Sequence, residues 1–250
     1  MMTEFSPNQP LAELDGQLPP YEVHIWLANL ELEESTIEKL GALLDPEEQQ
    51  RAARFRVTSA RKQFVASRAF LRIMLGKYLG IEAREVELGL AAHGKPELAE
   101  NRAIHFNLSH TEGLAAMAIT RAGAVGVDVE RVRDQPDLLD LAERFFSDKE
   151  AKWVRSQPER ERAACFFSCW TAKEAYVKAH GGGMSIPLDG FAVVPDLRKL
   201  ELQLEVFGDE AGTQRWSMRR LELPEGFRGA VAVESTSCRV RMGWLTATQG

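Results

Sequence analysis

The stretch Val125-Gly126-Val127-Asp128-Val129-Glu130 alternates valine with small or acidic residues. This alternation predicts a β-strand whose valines lie on the buried face. Asp128 and Glu130 then share the opposite face, with their Cα atoms roughly 6–7 Å apart. Two carboxylates this close repel each other unless a cation neutralises them, and Mg²⁺ commonly binds one or two protein carboxylates. The pattern is also compatible with an edge strand whose acidic face is solvated.

This strand belongs to a pattern that occurs twice along the chain. At one shift of about 102 residues, Val23 matches Val125, Leu44 matches Phe146 and Phe64 matches Phe166. Each copy has a strand, a short helix that starts at Asp or Ser, and a longer helix that ends before glycine, over residues 60–79 and 166–180. The repeat predicts two similar α/β halves with a joint near residues 121–124.

We therefore predict an α/β (α+β) fold of two pseudo-duplicated lobes, with the site in the cleft between them. Residues 1–20 are expected to form a flexible N-terminal arm, residues 21–122 the first lobe, and residues 123–245 the second lobe, which carries the metal site.

The two copies differ in the residues that matter for chemistry. Trp26 and Ala28 stand where the second copy has Asp128 and Glu130, and Arg72 stands where it has Glu174. From residue 51 to residue 77 there are eight Arg and Lys residues and no Asp or Glu. This segment is either a solvated helix face or a local anion site. A cleft with one acidic and one basic wall suits a phosphate ligand that carries a divalent metal.

A second acidic and basic pair lies on the predicted helix over residues 166–180. Trp170, Glu174 and Lys178 are spaced four residues apart and share one helix face. A surface Glu–Lys pair would contribute only about 0.3–0.5 kcal/mol. Because the surrounding helix is the most apolar of the chain, the pair is expected to line a cleft.

Composition excludes several other classes of protein. The 250 residues carry a net charge of −6, which argues against general nucleic-acid binding. No apolar run approaches the roughly 20 residues that span a bilayer, and the first 20 residues do not resemble a signal peptide, so a cytoplasmic location is expected. Cys165 and Cys169 are expected to be buried reduced thiols, because partner ligands for a zinc or redox site are lacking.

Two shorter motifs offer groups that suit a phosphate. Gly94-Lys95-Pro96 is a turn with a cation, and Ser109-His110 offers a hydroxyl group and an imidazole. Both motifs also occur commonly as purely structural features. Their interpretation therefore depends on which other motifs occur with them along the chain.

Taken in order, these motifs resemble those of the 4′-phosphopantetheinyl transferases of the Sfp type. The resemblance covers roughly residues 21–233. It rests on Gly94-Lys95-Pro96, Phe106-Asn107-Leu108-Ser109-His110, Val125-Gly126-Val127-Asp128-Val129-Glu130, Arg144-Phe145-Phe146-Ser147 and Trp170-Thr171-Ala172-Lys173-Glu174-Ala175-Tyr176-Val177-Lys178. The two-lobed fold of that family agrees with the repeat.

The resemblance implies a reaction and a set of residues. A serine of an apo carrier protein attacks the β-phosphorus of coenzyme A, 4′-phosphopantetheine is transferred and 3′,5′-ADP leaves. The metal, Mg²⁺ with Mn²⁺ as an alternative, is expected on Asp128, Glu130 and Glu174. Glu174 is also expected to deprotonate the serine, directly or through water, and Asp128 and Lys178 complete the expected catalytic set. The residues expected to contact coenzyme A are Lys95, Pro96, Ser109, His110, Lys173 and Lys178.

The first lobe departs from some relatives, which have lysines where this chain has Glu48 and Arg51. The candidates for the 3′-phosphate are therefore Arg51, Arg61, Lys62 and Arg68, with Arg51 and Lys62 first. The expected enzyme is a monomer of the holo-[acyl-carrier-protein] synthase type that acts on acyl, peptidyl or polyketide carriers, without nucleic-acid or membrane partners. The alternatives are a non-catalytic carrier-binding module and another Mg²⁺-dependent phosphoryl or nucleotidyl transferase.

Overall fold

The structure is a computed structural model that describes residues 17–90, 95–99, 103–196 and 198–245. Most of the predicted N-terminal arm, residues 1–16, lies outside the described residues, as does Gly94. The helices of the described part are α1 (Glu34–Gly41), α2 (Pro46–Ala53), α3 (Thr58–Leu79), α4 (Leu138–Phe145), α5 (Asp148–Ser156), α6 (Glu159–His180) and α7 (Glu210–Gln214). The strands are β1 (Glu22–Asn29), β2 (Leu88–Leu90), β3 (Pro96–Leu98), β4 (His105–Thr111), β5 (Leu114–Thr120), β6 (Val125–Arg131), β7 (Phe191–Ala192), β8 (Glu201–Leu202), β9 (Glu205–Val206), β10 (Trp216–Arg220), β11 (Phe227–Glu234) and β12 (Arg239–Leu245).

Two four-stranded sheets form the centre of the molecule. The first has the order β12-β1-β5-β4 and the second the order β6-β11-β10-β8. In the first sheet β5 is antiparallel to both β1 and β4, whereas in the second β6 is antiparallel to β11. The mixed α/β architecture predicted from the repeat is confirmed.

Alternation along the strands divides the core into layers. Val23, Ile25 and Leu27 of β1 share one buried cluster with the valines of β6, so the inner faces of the two sheets pack against each other. Trp26, which lies between Ile25 and Leu27 and points to the other face of β1, belongs to a different cluster that packs against α3. Helix α6 covers the outer face of the second sheet in the same way.

The capped helix starts of the two halves have the same hydrogen bonds. Asp45 caps α2 and accepts from the Glu48 amide, and Ser147 caps α5 and accepts from the Glu150 amide. In both cases the glutamate carboxylate in turn accepts a hydrogen bond from the backbone amide of the capping residue. Each pair of bonds satisfies two backbone donors that would otherwise be free. The long helices that follow end at Gly80 and Gly181, each in the left-handed conformation that glycine adopts without steric cost.

Helix α6 begins earlier than the sequence pattern suggests. The aromatic run predicts a start at Phe166, whereas the helix begins at Glu159, directly after Pro158. Glu159 and Glu161 occupy the first turn, where acidic side chains interact favourably with the helix dipole. The first four of the extra residues, 159–162, are charged, so the start of the helix leaves no apolar signal.

The C-terminal strand crosses back to the first sheet. Residues 123–245 were assigned to one lobe, but β12 pairs in parallel with β1, from Glu22 opposite Arg239 to Ala28 opposite Leu245. Val240, Met242 and Trp244 pack against the cluster between the two sheets. A parallel neighbour for β1 must come from a distant part of the chain, which local sequence patterns do not show.

No helix in the described ranges combines the length and apolar character needed to cross a membrane.

Candidate active site

The site is built where β6 and α6 touch backbone to backbone. Gly126 makes this approach possible, because a Cβ atom there would overlap the carbonyl oxygen of Ala175 and lie 2.9 Å from the carbonyl carbon of Lys178. The strand carries Asp128 and Glu130, and the helix carries Glu174 and Lys178. Close packing of the two elements therefore brings both predicted acidic and basic pairs to one place.

Lys178 and Asp128 form the centre of the site. The Lys178 ammonium donates to Oδ1 of Asp128 at 2.6 Å, to Oγ of Ser109 at 3.1 Å and to the carbonyl oxygen of Val127 at 3.4 Å. The Asp128 side chain is 6% exposed. Burial raises the pKa of Asp128 above its usual value, while Lys178 and the Ser109 hydroxyl act in the opposite direction.

Ser109 has a different role from the one that the motif suggests. Its hydroxyl donates to Oδ1 of Asp128 at 2.8 Å and is itself buried. A serine hydroxyl has a single proton to donate, so the bond to Asp128 leaves none for a phosphate oxygen. In this arrangement Ser109 orients Asp128 and Lys178, and its contact with phosphate stays a prediction.

Polar side chains of β4 connect the two sheets. The amide of Val127 donates to Asn107 Oδ1 at 2.9 Å, and two similar bonds run from Val129 to Ser109 and from Arg131 to Thr111. These three acceptors satisfy backbone amides at the free edge of β6. Sequence reasoning missed Asn107 and Thr111. The signal was present as the alternation of Asn107, Ser109 and Thr111 with Phe106 and Leu108.

Glu130 and Glu174 complete the acidic group. Burial and the negative charge of Asp128 raise the pKa of both carboxyl groups, so all three carboxylates lie within electrostatic reach of one another. Glu130 accepts weakly from Thr111 Oγ1 and from Arg133, each at 3.3 Å. The net excess of negative charge favours a cation at this place.

One atom of this group is suited to a metal ion. Within the described residues, Oδ2 of Asp128 is buried and has no hydrogen-bond partner. An unpaired buried carboxylate oxygen is costly, and a bound cation would remove that cost. No three His, Cys, Asp or Glu side chains of the described ranges converge closely enough to hold a metal by themselves. Water and phosphate oxygens would therefore have to complete the coordination of a cation bound at these carboxylates, as Mg²⁺ commonly allows.

A cavity of about 610 Å³ opens beside this acidic group. Glu174 and Lys178 of α6 line one part of it, and Lys95 and Pro96 line another. The remaining wall includes Arg144, Phe145, Asn107 and Leu108, together with Gly181, Gly183, Ile186, Pro187, Leu188 and Asp189. Its size is within the range of small-molecule sites, and it combines an apolar lining with a few polar groups.

Lys95 has its side chain inside the protein. Its ammonium donates to the carbonyl oxygens of Val125 at 2.9 Å and of Lys178 at 3.0 Å. Burial and the charge of Lys178 lower the pKa of Lys95 to about 8, so the group is still mainly protonated at neutral pH. The predicted residue therefore lies at the cavity, but its charge is directed at the backbone.

The candidate basic residues of the first lobe divide into two groups. Arg61 and Lys62 form ion pairs with Glu34, at 3.6 Å and 2.8 Å. Arg51 and Arg68 lie over the Phe64 ring, with 5.2 Å and 5.9 Å between guanidinium carbon and ring centroid, and Arg68 also pairs with Glu48 at 3.4 Å.

His110 connects the second group to the cleft. Its side chain is partly exposed, yet desolvation by the surrounding protein and then the charges of Lys178 and Arg68 lower its pKa. Arg68 and Lys178 therefore both lie within electrostatic reach of His110. This arrangement makes Arg68 a candidate partner of His110 in an anion site.

Lys173 does not belong to the cleft. Its ammonium is fully buried and pairs with Glu150 at 2.6 Å, while the carbonyl oxygen of Phe191 accepts a second bond at 2.8 Å. The prediction that Lys173 contacts coenzyme A is therefore corrected. Successive helical residues differ by about 100° around the axis, so Glu174 lines the cavity while its neighbour enters the core.

Arg72, which the repeat aligns with Glu174, does not form a basic wall of the cleft but takes a place like that of Lys173 in the second half. It is buried and bonds to Glu48 at 2.6 Å and to Asp45, which belong to the capping box of α2. The Glu48 carboxylate therefore has a structural role and is not part of a phosphate site.

The cysteines behave as the composition suggests. Cys165 and Cys169 are free and buried, and burial raises the pKa of both thiols. They are therefore reduced packing residues beside the aromatic cluster of α6.

Comparison with known proteins gives consistent matches. A family model described as the 4′-phosphopantetheinyl transferase superfamily matches residues 124–232, and one described as 4′-phosphopantetheinyl transferase, N-terminal, matches residues 31–121. The 4′-phosphopantetheinyl transferase HetI of Nostoc sp. is 41% identical over 167 residues, which cover 66% of this chain and 70% of that protein.

Two further relatives come from bacilli. The 4′-phosphopantetheinyl transferase psf-1 of Bacillus pumilus is 32% identical over 155 residues, covering 62% of this chain and 65% of the relative. The 4′-phosphopantetheinyl transferase Sfp of Bacillus subtilis is 26% identical over 156 residues, covering 62% of this chain and 68% of the relative.

Proposed function

This chain belongs to the 4′-phosphopantetheinyl transferase superfamily, and we propose that it transfers 4′-phosphopantetheine from coenzyme A to a serine of an apo carrier protein, releasing 3′,5′-ADP. The observation that carries the proposed site is the buried, unpartnered Oδ2 of Asp128 among three carboxylates, beside a cavity of about 610 Å³. This combination suits a pyrophosphate that arrives together with a divalent cation.

Asp128, Glu130 and Glu174 would hold the cation, which we propose to be Mg²⁺, with Mn²⁺ able to replace it. Bound there, the ion would neutralise negative charge on the pyrophosphate of coenzyme A. The pKa of all three carboxyl groups is raised, which supports this assignment, because a bound cation would stabilise the ionised form of each group.

Glu174 takes the proton of the attacking serine, directly or through one water. The serine oxygen forms a bond to the β-phosphorus, and the bond from that phosphorus to the oxygen of 3′,5′-ADP breaks. Helix α6 holds this side chain at the cavity wall, so the base is positioned before the carrier arrives.

Lys178 supplies the fixed positive charge at the reacting phosphates. Its three N–H donors already have acceptors in Asp128, Ser109 and the Val127 carbonyl, which hold the ammonium in one place. Preorganised charge of this kind stabilises phosphoryl transfer without reorganisation during the reaction. A phosphate oxygen would replace the longest of these bonds, the one to Val127.

The two predicted lobes, residues 21–122 and 123–245, would enclose coenzyme A between them. His110, Arg68 and Arg51 are proposed for the 3′-phosphate, because the charges of Arg68 and Lys178 both act on His110. Lys62 remains a candidate as well; Glu34 pairs with Lys62 and Glu48 with Arg68, so a phosphate would compete with a carboxylate at either residue. Pro96 lines the cavity and is proposed to pack beside the adenine.

The proposal includes the setting in which the enzyme works. We propose a monomer in the cytoplasm that serves acyl, peptidyl or polyketide carriers and does not bind nucleic acid. The net charge of −6 supports the last point.

Incubation of the protein with coenzyme A, Mg²⁺ and a panel of apo carriers tests this function. Mass spectrometry should show that at least one carrier gains the mass of one phosphopantetheine, on its serine. EDTA should abolish the reaction, and added Mg²⁺ or Mn²⁺ should restore it. An unchanged mass for every carrier, with coenzyme A bound, would leave a carrier-binding module without activity as the better description.

A further inference from the structure

Lys95 connects the first lobe to the two elements that carry the acidic site. It precedes β3, and its ammonium reaches the carbonyl oxygens of Val125 and Lys178, at 2.9 Å and 3.0 Å. Val125 is the first residue of β6, and Lys178 lies in the last turn of α6. One side chain therefore bonds to both the strand and the helix.

Both carbonyl groups lack a regular partner without Lys95. The last four carbonyl groups of a helix have no acceptor role inside it, and α6 ends at His180, so the Lys178 oxygen is one of them. Val125 lies at the edge of β6 that faces β4, where side chains rather than a neighbouring strand supply the hydrogen bonds. A cation at a helix C-terminus also interacts favourably with the helix dipole.

The two bonds flank the point of closest approach between β6 and α6. Gly126 follows Val125 and packs against the backbone of residues 175–179, at a distance that only glycine permits. Asp128 and Glu130 continue along the same strand, and Glu174 is one turn before Lys178. The separation of helix and strand at Gly126 thus sets the separation of the carboxylates.

We propose that Lys95 is a positioning residue that holds α6 against β6 and thereby sets the geometry of the acidic group, rather than a ligand of coenzyme A through its ammonium. Lys95 and Pro96 still line the cavity. The kinetic part of this inference rests on the proposed function, whereas the structural part does not.

Substitution Lys95→Met keeps an unbranched side chain that is one atom shorter and removes its donors. We expect faster amide hydrogen exchange in the last turn of α6, residues 177–181, in the protein without ligand. We also expect kcat to fall between about tenfold and about a hundredfold, the loss that follows a misplacement near 1 Å, while the Kd for coenzyme A stays within about twofold. Lys152→Met, which changes an exposed lysine of α5, is the control and should alter none of these quantities.

Lys95→Arg tests rescue, because a guanidinium group can donate to two carbonyl oxygens and should restore most of the protection and of kcat. If Lys95→Met does not fold, Lys95→Gln replaces it with the same measurements. A large increase in the Kd for coenzyme A with unchanged exchange in α6 would overturn the proposal and make Lys95 a ligand. Absence of transfer by the wild-type chain would contradict the proposed function, while the exchange comparison would still decide the role of Lys95.

Discussion

The ammonium of Lys178 lies 2.6 Å from Oδ1 of Asp128, and this contact joins the helix that carries Glu174 to the strand that carries Glu130. The two side chains are 29% and 6% exposed. The lysine occupies one carboxylate oxygen and leaves the other, Oδ2, without a hydrogen-bond partner among the described residues. Asp128 can therefore serve a fixed positive charge and a bound cation at once.

Lys178→Met should move the acidic limb of the pH–activity profile to higher pH. Lys178 lowers the pKa of Asp128 against the effect of burial, so its removal raises that pKa further. At a given pH, less Asp128 is then ionised and available to a cation. Profiles of kcat/KM for the variant and the wild type would measure the shift. A profile with an unchanged acidic limb would show that the ionisation of Asp128 does not control activity.

Glu174→Gln should lower kcat by about 10²- to 10⁴-fold, the usual contribution of a general base. The substitution preserves the size of the side chain, so binding of coenzyme A should change little. Stopped assays of carrier modification give kcat, and calorimetric titration gives the Kd. Turnover equal to that of the wild type would show that Glu174 is neither the general base nor a metal ligand.

His110 should make the binding of coenzyme A stronger at lower pH. In the free protein its pKa is lowered by desolvation and by the charges of Lys178 and Arg68. A bound phosphate raises that pKa, so binding takes up a proton, and affinity increases as pH falls from the raised value toward the lowered one. Titrations at about pH 6 and pH 8 measure the slope. The slope should disappear in His110→Gln and with 3′-dephospho-coenzyme A; persistence in both cases would place the imidazole elsewhere.

Lys173→Met should destabilise the fold without affecting the binding of coenzyme A. Breaking its fully buried pair leaves Glu150 uncompensated, and such losses reduce the free energy of unfolding by about 3–5 kcal/mol. Lys149→Met is the control, since its pair with Glu205 is exposed and is expected to contribute about 0–1 kcal/mol. Denaturant titration gives both values. An increased KM for coenzyme A at unchanged stability would show that Lys173 contributes to the cleft.

Gly126→Ala should reduce kcat by about a hundredfold, because the new methyl group overlaps the backbone of α6 and separates it from β6. Gly89→Ala is the matched control, since its Cβ would meet nothing nearer than Cγ of Glu97 at 3.8 Å. Steady-state kinetics of both variants, after a check of folding by circular dichroism, makes the comparison. Equal rates would mean that the contact between strand and helix does not determine the site.

The sequence by itself determined the class of fold and the chemistry at its centre. Period-two alternation over residues 125–130 and helical spacing of Glu174 and Lys178 are local properties, so the strand, the helix and their charged faces were predictable. The capping residues Asp45 and Ser147 marked the starts of the paired helices for the same reason. The order of the motifs then indicated the family.

Only the tertiary structure decided how these elements use their side chains. Lys173 and Glu174 are adjacent in sequence, yet one is buried against Glu150 and the other lines the cavity. Lys95 and Ser109 suit a phosphate by residue type, but the structure directs them to backbone carbonyls and to Asp128. The return of β12 to β1 was equally hidden. Each of these outcomes depends on contacts between residues far apart in the chain. Burial and distance decide which group each side chain bonds to, and local sequence patterns contain neither.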